Sequence, residues 1–65
     1  MFRELDRRVS GDDVIALFWD DERGCAELVI DRAGETWTRE VPPHRVADAM
    51  RHPYVYLPKH ALVAA

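Results

Sequence analysis

Six consecutive apolar residues, Val14-Ile15-Ala16-Leu17-Phe18-Trp19, interrupt an otherwise mixed chain. A strand open to water on one side alternates apolar with polar residues. An unbroken run this short, rich in β-branched and aromatic side chains, predicts a central strand covered on both faces. Two more strand-like segments follow, Cys25 to Ile30 and Thr36 to Val41. The connections Asp20-Asp21-Glu22-Arg23-Gly24 and Asp31-Arg32-Ala33-Gly34-Glu35 are polar and contain a glycine at or near the end, the composition of tight hairpins. The pattern predicts an antiparallel meander over 14–41. Upstream, Phe2, Leu5 and Val9 fit a helical spacing, whereas Leu5, Arg7 and Val9 fit a half-buried strand. We read residues 1–10 as an additional N-terminal strand, with Ser10-Gly11-Asp12-Asp13 as its turn.

If each of the two later hairpins closes with a three-residue loop ending at its glycine, the register follows. Val29 then opposes Trp37 and Leu17, Cys25 opposes Val41, and Trp19 opposes Glu27. One face of the sheet would carry Ile15, Leu17, Val29, Trp37 and Val41. The other would carry Val14, Ala16, Phe18, Leu28 and Ile30, edged by Thr36 and Thr38. Both faces are apolar in this reading. Leaving three large side chains wet on either would forgo roughly 1.5–3 kcal/mol apiece, as an upper bound.

A single helix is available as cover. Pro42 and Pro43 end the last strand, and Pro43 suits a first helical position, where its missing N–H costs nothing. Val46, Ala49 and Met50 then share one face, and His52-Pro53 stops the helix, so we place it at 43–52. Residues 54–65 read as an extended segment, from the alternation in Tyr54-Val55-Tyr56-Leu57, followed by a tail. The fold class expected is therefore α+β: an antiparallel β-meander of three or four strands with one short helix packed on one face.

The segment Val41-Pro42-Pro43-His44-Arg45-Val46-Ala47-Asp48-Ala49-Met50-Arg51-His52-Pro53-Tyr54-Val55-Tyr56, preceded by a strand ending in Trp19-Asp20, resembles small actinomycete proteins that share a Val-Pro-Pro helix leading into His-Pro-Tyr. The resemblance spans about residues 14–56 and implies no particular activity. Met50 stands where those proteins are expected to carry an aromatic residue.

Composition narrows the picture further. At 65 residues this is one small domain, and chains near this size bury only about 60% of their unfolded surface. The lone cysteine, Cys25, excludes an intrachain disulfide and fits a reducing, cytoplasmic setting. The N-terminal residues lack the apolar core of a secretion signal, and no stretch is long and apolar enough to span a bilayer. The net charge of −3, with Glu4 and Asp6 interleaved among Arg3, Arg7 and Arg8, argues against direct nucleic-acid binding.

The remaining chemistry is sparse. His44, His52 and His60 recur every eight residues, a spacing that does not align them on a helix and matches no zinc motif. His52 is expected to pair with Asp48 one helical turn earlier. The acids at 12–13 and 20–22 lie in turns and lack the alternate-position spacing of a calcium loop. Cys25, at the start of a strand, reads as a small buried hydrophobe.

No catalytic set, metal or cofactor is expected. The function the sequence supports is a non-enzymatic protein–protein interaction module. In this reading the chain is a homodimer burying a second apolar sheet face or an edge, with Val14, Phe18, Leu28, Ile30, Tyr54 and Tyr56 as contact residues. The alternative is a small subunit or regulator in a hetero-complex, for instance with a transcription or nucleic-acid enzyme.

Overall fold

The structure, a computed structural model, describes residues 1–56. Four strands run in chain order: β1 (Phe2–Ser10), β2 (Asp13–Asp20), β3 (Cys25–Arg32) and β4 (Glu35–Val41). They form one antiparallel sheet in the order β1-β2-β3-β4, the meander of an α+β fold. After Pro42 comes a 3₁₀ turn (Pro43–Arg45), then helix α1 (Val46–Arg51) and a second 3₁₀ turn (Pro53–Tyr56). Among the described residues no helix is long and apolar enough to cross a membrane.

Residues 43–52 thus do not form one continuous α-helix. The proline pair tightens the first turn, where Arg45 N–H reaches back to the Pro42 carbonyl at 3.0 Å, and regular α geometry begins only at Val46. Residues 54–56 are not extended as expected; they continue Pro53 into a 3₁₀ turn, with Val55 N–H donating to the His52 carbonyl at 3.2 Å. The expectations for residues 57–65 lie outside the described residues.

The register differs from the one inferred from three-residue loops. Asp20 opposes Cys25, so the β2–β3 loop holds four residues, and Arg32 opposes Glu35, so the β3–β4 loop holds two. In the first loop the Asp20 carbonyl accepts from Gly24 N–H at 2.9 Å while its carboxylate accepts from Glu22 N–H at 3.0 Å. These bonds keep Asp20 in the strand. In the second, Ala33 and Gly34 both take positive φ, +51° and +85°, the requirement of a type I′ hairpin turn. Because side chains alternate, each one-residue slip turns a strand over. The two slips add to a two-residue shift of β4 along β2, which keeps its face, so only β3 is inverted. Leu17 meets Leu28, and Ile15 and Trp37 both meet Ile30.

Ala33 is a strained choice for that turn. A left-handed conformation costs an L-residue with a Cβ roughly 1–2 kcal/mol, part of which glycine would give back as extra freedom of the unfolded chain. Ala33→Gly is expected to raise stability by roughly 0.5–1 kcal/mol, read as a higher midpoint in thermal unfolding. An unchanged or lower midpoint would contradict the assignment of the strain to this residue.

The core lies between the sheet and the C-terminal elements. Ile15, Leu17, Ala26, Leu28, Ile30 and Val41 from the strands and Ala49 from α1 are all at most 1% exposed. Val46, Met50, Tyr54, Tyr56, Trp19 and Trp37 pack around them. The helical face Val46, Ala49, Met50 is therefore the one the spacing indicated.

β1 is exposed along its whole length and is held by its ladder to β2. A register shift between Glu4 and Asp6 inserts Leu5 as an extra residue. This bulge resolves the mixed periodicity of the segment: Phe2 and Val9, seven positions apart, end up on the same face. The charged, bulged strand is also a poor template for edge-to-edge pairing.

Candidate functional site

The face of the sheet opposite α1 is where chain chemistry and geometry leave something undone. Cross-strand partners share a face, so the ladders define its rows. The first row holds Phe2, Asp20 and Cys25, and the second Glu4, Phe18, Glu27 and Glu40. The third holds Arg7, Ala16, Val29 and Thr38, and the fourth Val9, Val14, Asp31 and Thr36. Phe2 and Val9 are 54% and 72% exposed, and Val14, Phe18 and Val29 are half-buried by their neighbours alone. Phe2, Phe18, Glu27 and Val29 line a shallow cleft of about 220 Å³. Among the described residues, both 3₁₀ turns and α1 follow β4, and the packed side chains of α1 and of the second turn lie on the opposite, core side.

Charge on this face is unevenly distributed. Three of the four residues in the second row are glutamates, with Glu27 directly opposite Glu40, a like-charge arrangement that costs stability. Glu4 accepts from Arg7 Nε at 2.7 Å, and Glu40 forms an ion pair with Arg23. The third row contains no acid, and Arg7 is its one base.

Of the residues expected at an interface, Val14 and Phe18 lie on this open face. Leu28 and Ile30 do not. They are 0% and 1% exposed in the core beneath α1, because β3 is turned over relative to the three-residue-loop register. Val29 takes their place on the open side. Tyr54 and Tyr56 belong to the covering layer on the core side, each half-buried with its hydroxyl engaged.

A buried polar cluster ties that layer down. Asp13 is 3% exposed at the start of β2, and Arg32 at the end of β3 clasps it through two bonds, Nε to Oδ1 at 2.6 Å and Nη2 to Oδ2 at 3.0 Å. The Tyr54 hydroxyl donates to the same Oδ2. The guanidinium bonds, aided by the tyrosine, hold the Asp13 carboxyl down at about 2. The same bond to Asp13 raises the Arg32 and Tyr54 values, so the cluster is one anion between two donors at physiological pH. The sequence alone reads Asp13 as a turn acid. Its signal is a carboxylate at the first strand position, where the sheet end brings β2, β3 and the last turn together.

The other chemistry-bearing residues are not assembled. Among the described residues no group of three or more His, Cys, Asp or Glu side chains is arranged to hold a metal. His44 and His52 are exposed, and the Asp48 carboxylate accepts from the Tyr56 hydroxyl at 2.7 Å in place of the expected His52 pairing. Cys25 is 7% exposed and burial pushes its thiol up, with nearby Glu40 adding to the effect, which disfavours a thiolate nucleophile. His60 lies outside the described residues. No protein-family model matches the chain, and no curated protein or solved structure matches it either.

Proposed function

We propose that this chain is a non-enzymatic protein–protein interaction module and that it self-associates as a homodimer through the open sheet face. The observation that carries the reading is the set Phe2, Val9, Val14, Phe18 and Val29, gathered on one side of the sheet while the helical layer packs on the other. Phe2, Phe18 and Val29 meet in one cleft beside Glu27, and exposed apolar clusters rimmed by polar residues mark contact sites. A non-catalytic role accords with the Asp13 carboxylate being engaged by Arg32 and Tyr54, and with a buried Cys25. The cytoplasmic setting in this reading rests on that lone thiol.

Sedimentation across micromolar to millimolar concentration tests the proposal. The native chain is expected to approach twice its 7.5 kDa mass, and Phe18→Glu to remain at one chain mass with its circular dichroism unchanged. A native chain that stays at single-chain mass throughout would sink self-association. The hetero-complex subunit would then be the reading to pursue, the same face serving a different partner.

A further inference from the structure

The rows of the open face also constrain how two copies meet, and the following rests on the homodimer reading. A closed pair has a two-fold axis, and for sheets stacked with their strands aligned that axis runs either along the strands or across them. An axis along the strands lays each row on its own copy. The row of Glu4, Phe18, Glu27 and Glu40 would then face itself, acid on acid or acid on Phe18. Like charges brought together in an interface cost several kcal/mol.

An axis across the strands exchanges rows. Placed between the second and third rows, it lays Glu4 on Arg7 of the other copy, twice by symmetry. Glu4 and Arg7, already paired within each chain, thereby join across the axis; the large Phe18 sits on the small Ala16 and Phe2 on Val9, while Glu27 falls on Val29 and Glu40 on Thr38, each contact made twice. Moved onto the third row, the same axis would stack Arg7 on Arg7 and Ala16 on Ala16, repelling at one place and leaving a void at the other. We infer that the occupant of the open face is a second copy of this chain, stacked about a two-fold axis perpendicular to the strands between the Phe18 and Ala16 rows, with reciprocal Glu4–Arg7 contacts between copies.

The size of the face is adequate. Four strands about 4.8 Å apart and some eight residues long present roughly 500 Å² in plan. Two copies together would bury about 1,000 Å², the lower bound for a specific interface and short of the standard size. The acids Asp20 and Asp31 fall in the end rows, where sheet twist opens the stack to water.

Charge exchange tests this arrangement separately from dimerisation itself. Glu4 and Arg7 are exposed on β1, so Glu4→Arg and Arg7→Glu chains should fold, with circular dichroism as the control. Each variant alone is expected to dimerise at least tenfold more weakly than the native chain, because each sets like charges against each other across the axis. An equimolar mixture should form a heterodimer within about threefold of native affinity, since only between unlike chains does every contact of position 4 with position 7 again pair an acid with a base. If Glu4→Arg alone dimerises as well as or better than the native chain, or if mixing restores nothing, the axis assignment fails while the homodimer reading stands. If the native chain never dimerises, both fail.

Discussion

Replacing Leu28 by alanine should cost about 3 kcal/mol of folding stability, whereas replacing its neighbour Val29 should cost under about 1 kcal/mol in the dissociated chain. Leu28 is 0% exposed and lies opposite Leu17 in the layer beneath α1. Val29 faces outward between Ala16 and Thr38 and is only half-buried. In a domain this small each kcal/mol moves the unfolding midpoint by roughly 4–8 °C, so the Leu28 variant should melt on the order of 10–20 °C lower. Chemical denaturation at a concentration low enough to hold the chain monomeric isolates folding from association. Comparable losses at the two positions, or a larger one at Val29, would mean that β3 sits in the other register, with Val29 inside.

The second large effect concerns the polar clasp. Asp13→Ala is expected to destabilise the fold by about 2–3 kcal/mol, since it strips two charge-assisted bonds from Arg32 and one acceptor from Tyr54. This lies below the roughly 3–5 kcal/mol typical of a broken buried pair because the Arg32 side chain is 27% exposed and can regain water. The pH dependence has a defined sign. The Asp13 carboxyl is held at about 2 in the fold against an ordinary value of 3.8, so its contribution is fully present above the ordinary value. That contribution declines as pH falls below about 3.8 and is lost on passing through about 2. Asp13→Asn removes this titration while keeping the shape. The gap in thermal midpoint between native chain and Asp13→Asn should therefore be widest above about pH 5 and close toward about pH 2. A gap that stays constant over that span would show that the ionised carboxylate is not what holds Arg32 and Tyr54.

Much of the architecture was legible because local chemistry and tertiary outcome agree. The apolar run Val14–Trp19, the glycine-bearing turns, the proline pair ahead of the helix and His52-Pro53 behind it each fix a local backbone choice, and the meander with one helix follows. The face of β2 and that of β4 could also be read. The three-residue-loop register misassigns the face of β3, because the loops hold four and two residues. Those counts are settled by Asp20 folding its carboxylate back onto Glu22 N–H and by Ala33 accepting a positive φ. The alternation of β3 itself favours the observed side: Ala26, Leu28 and Ile30 run uninterrupted on one face, whereas Cys25 and Val29 share the other with Glu27 and Asp31. Assumed loop length, and not that alternation, is what puts Leu28 and Ile30 on the contact face and Val29 in the core in the sequence reading.

The candidate site divides in the same way. That β2 is apolar on both sides and that a single short helix is available as cover are properties of the sequence, since they depend only on counts and alternation; as folded, the open face mixes its apolar residues with Glu4, Asp20, Glu27, Asp31 and Glu40. Which residues lie on the open side, the row-by-row arrangement of Glu4, Glu27 and Glu40 against Arg7, and the clasp of Asp13 by Arg32 and Tyr54 were decided by tertiary structure. Periodicity specifies which side chains alternate, because that is a local property of the strand. Register, bulge position and the meeting of Asp13 with a tyrosine 41 residues away are set by the global minimum of packing and hydrogen bonding, which no local pattern encodes.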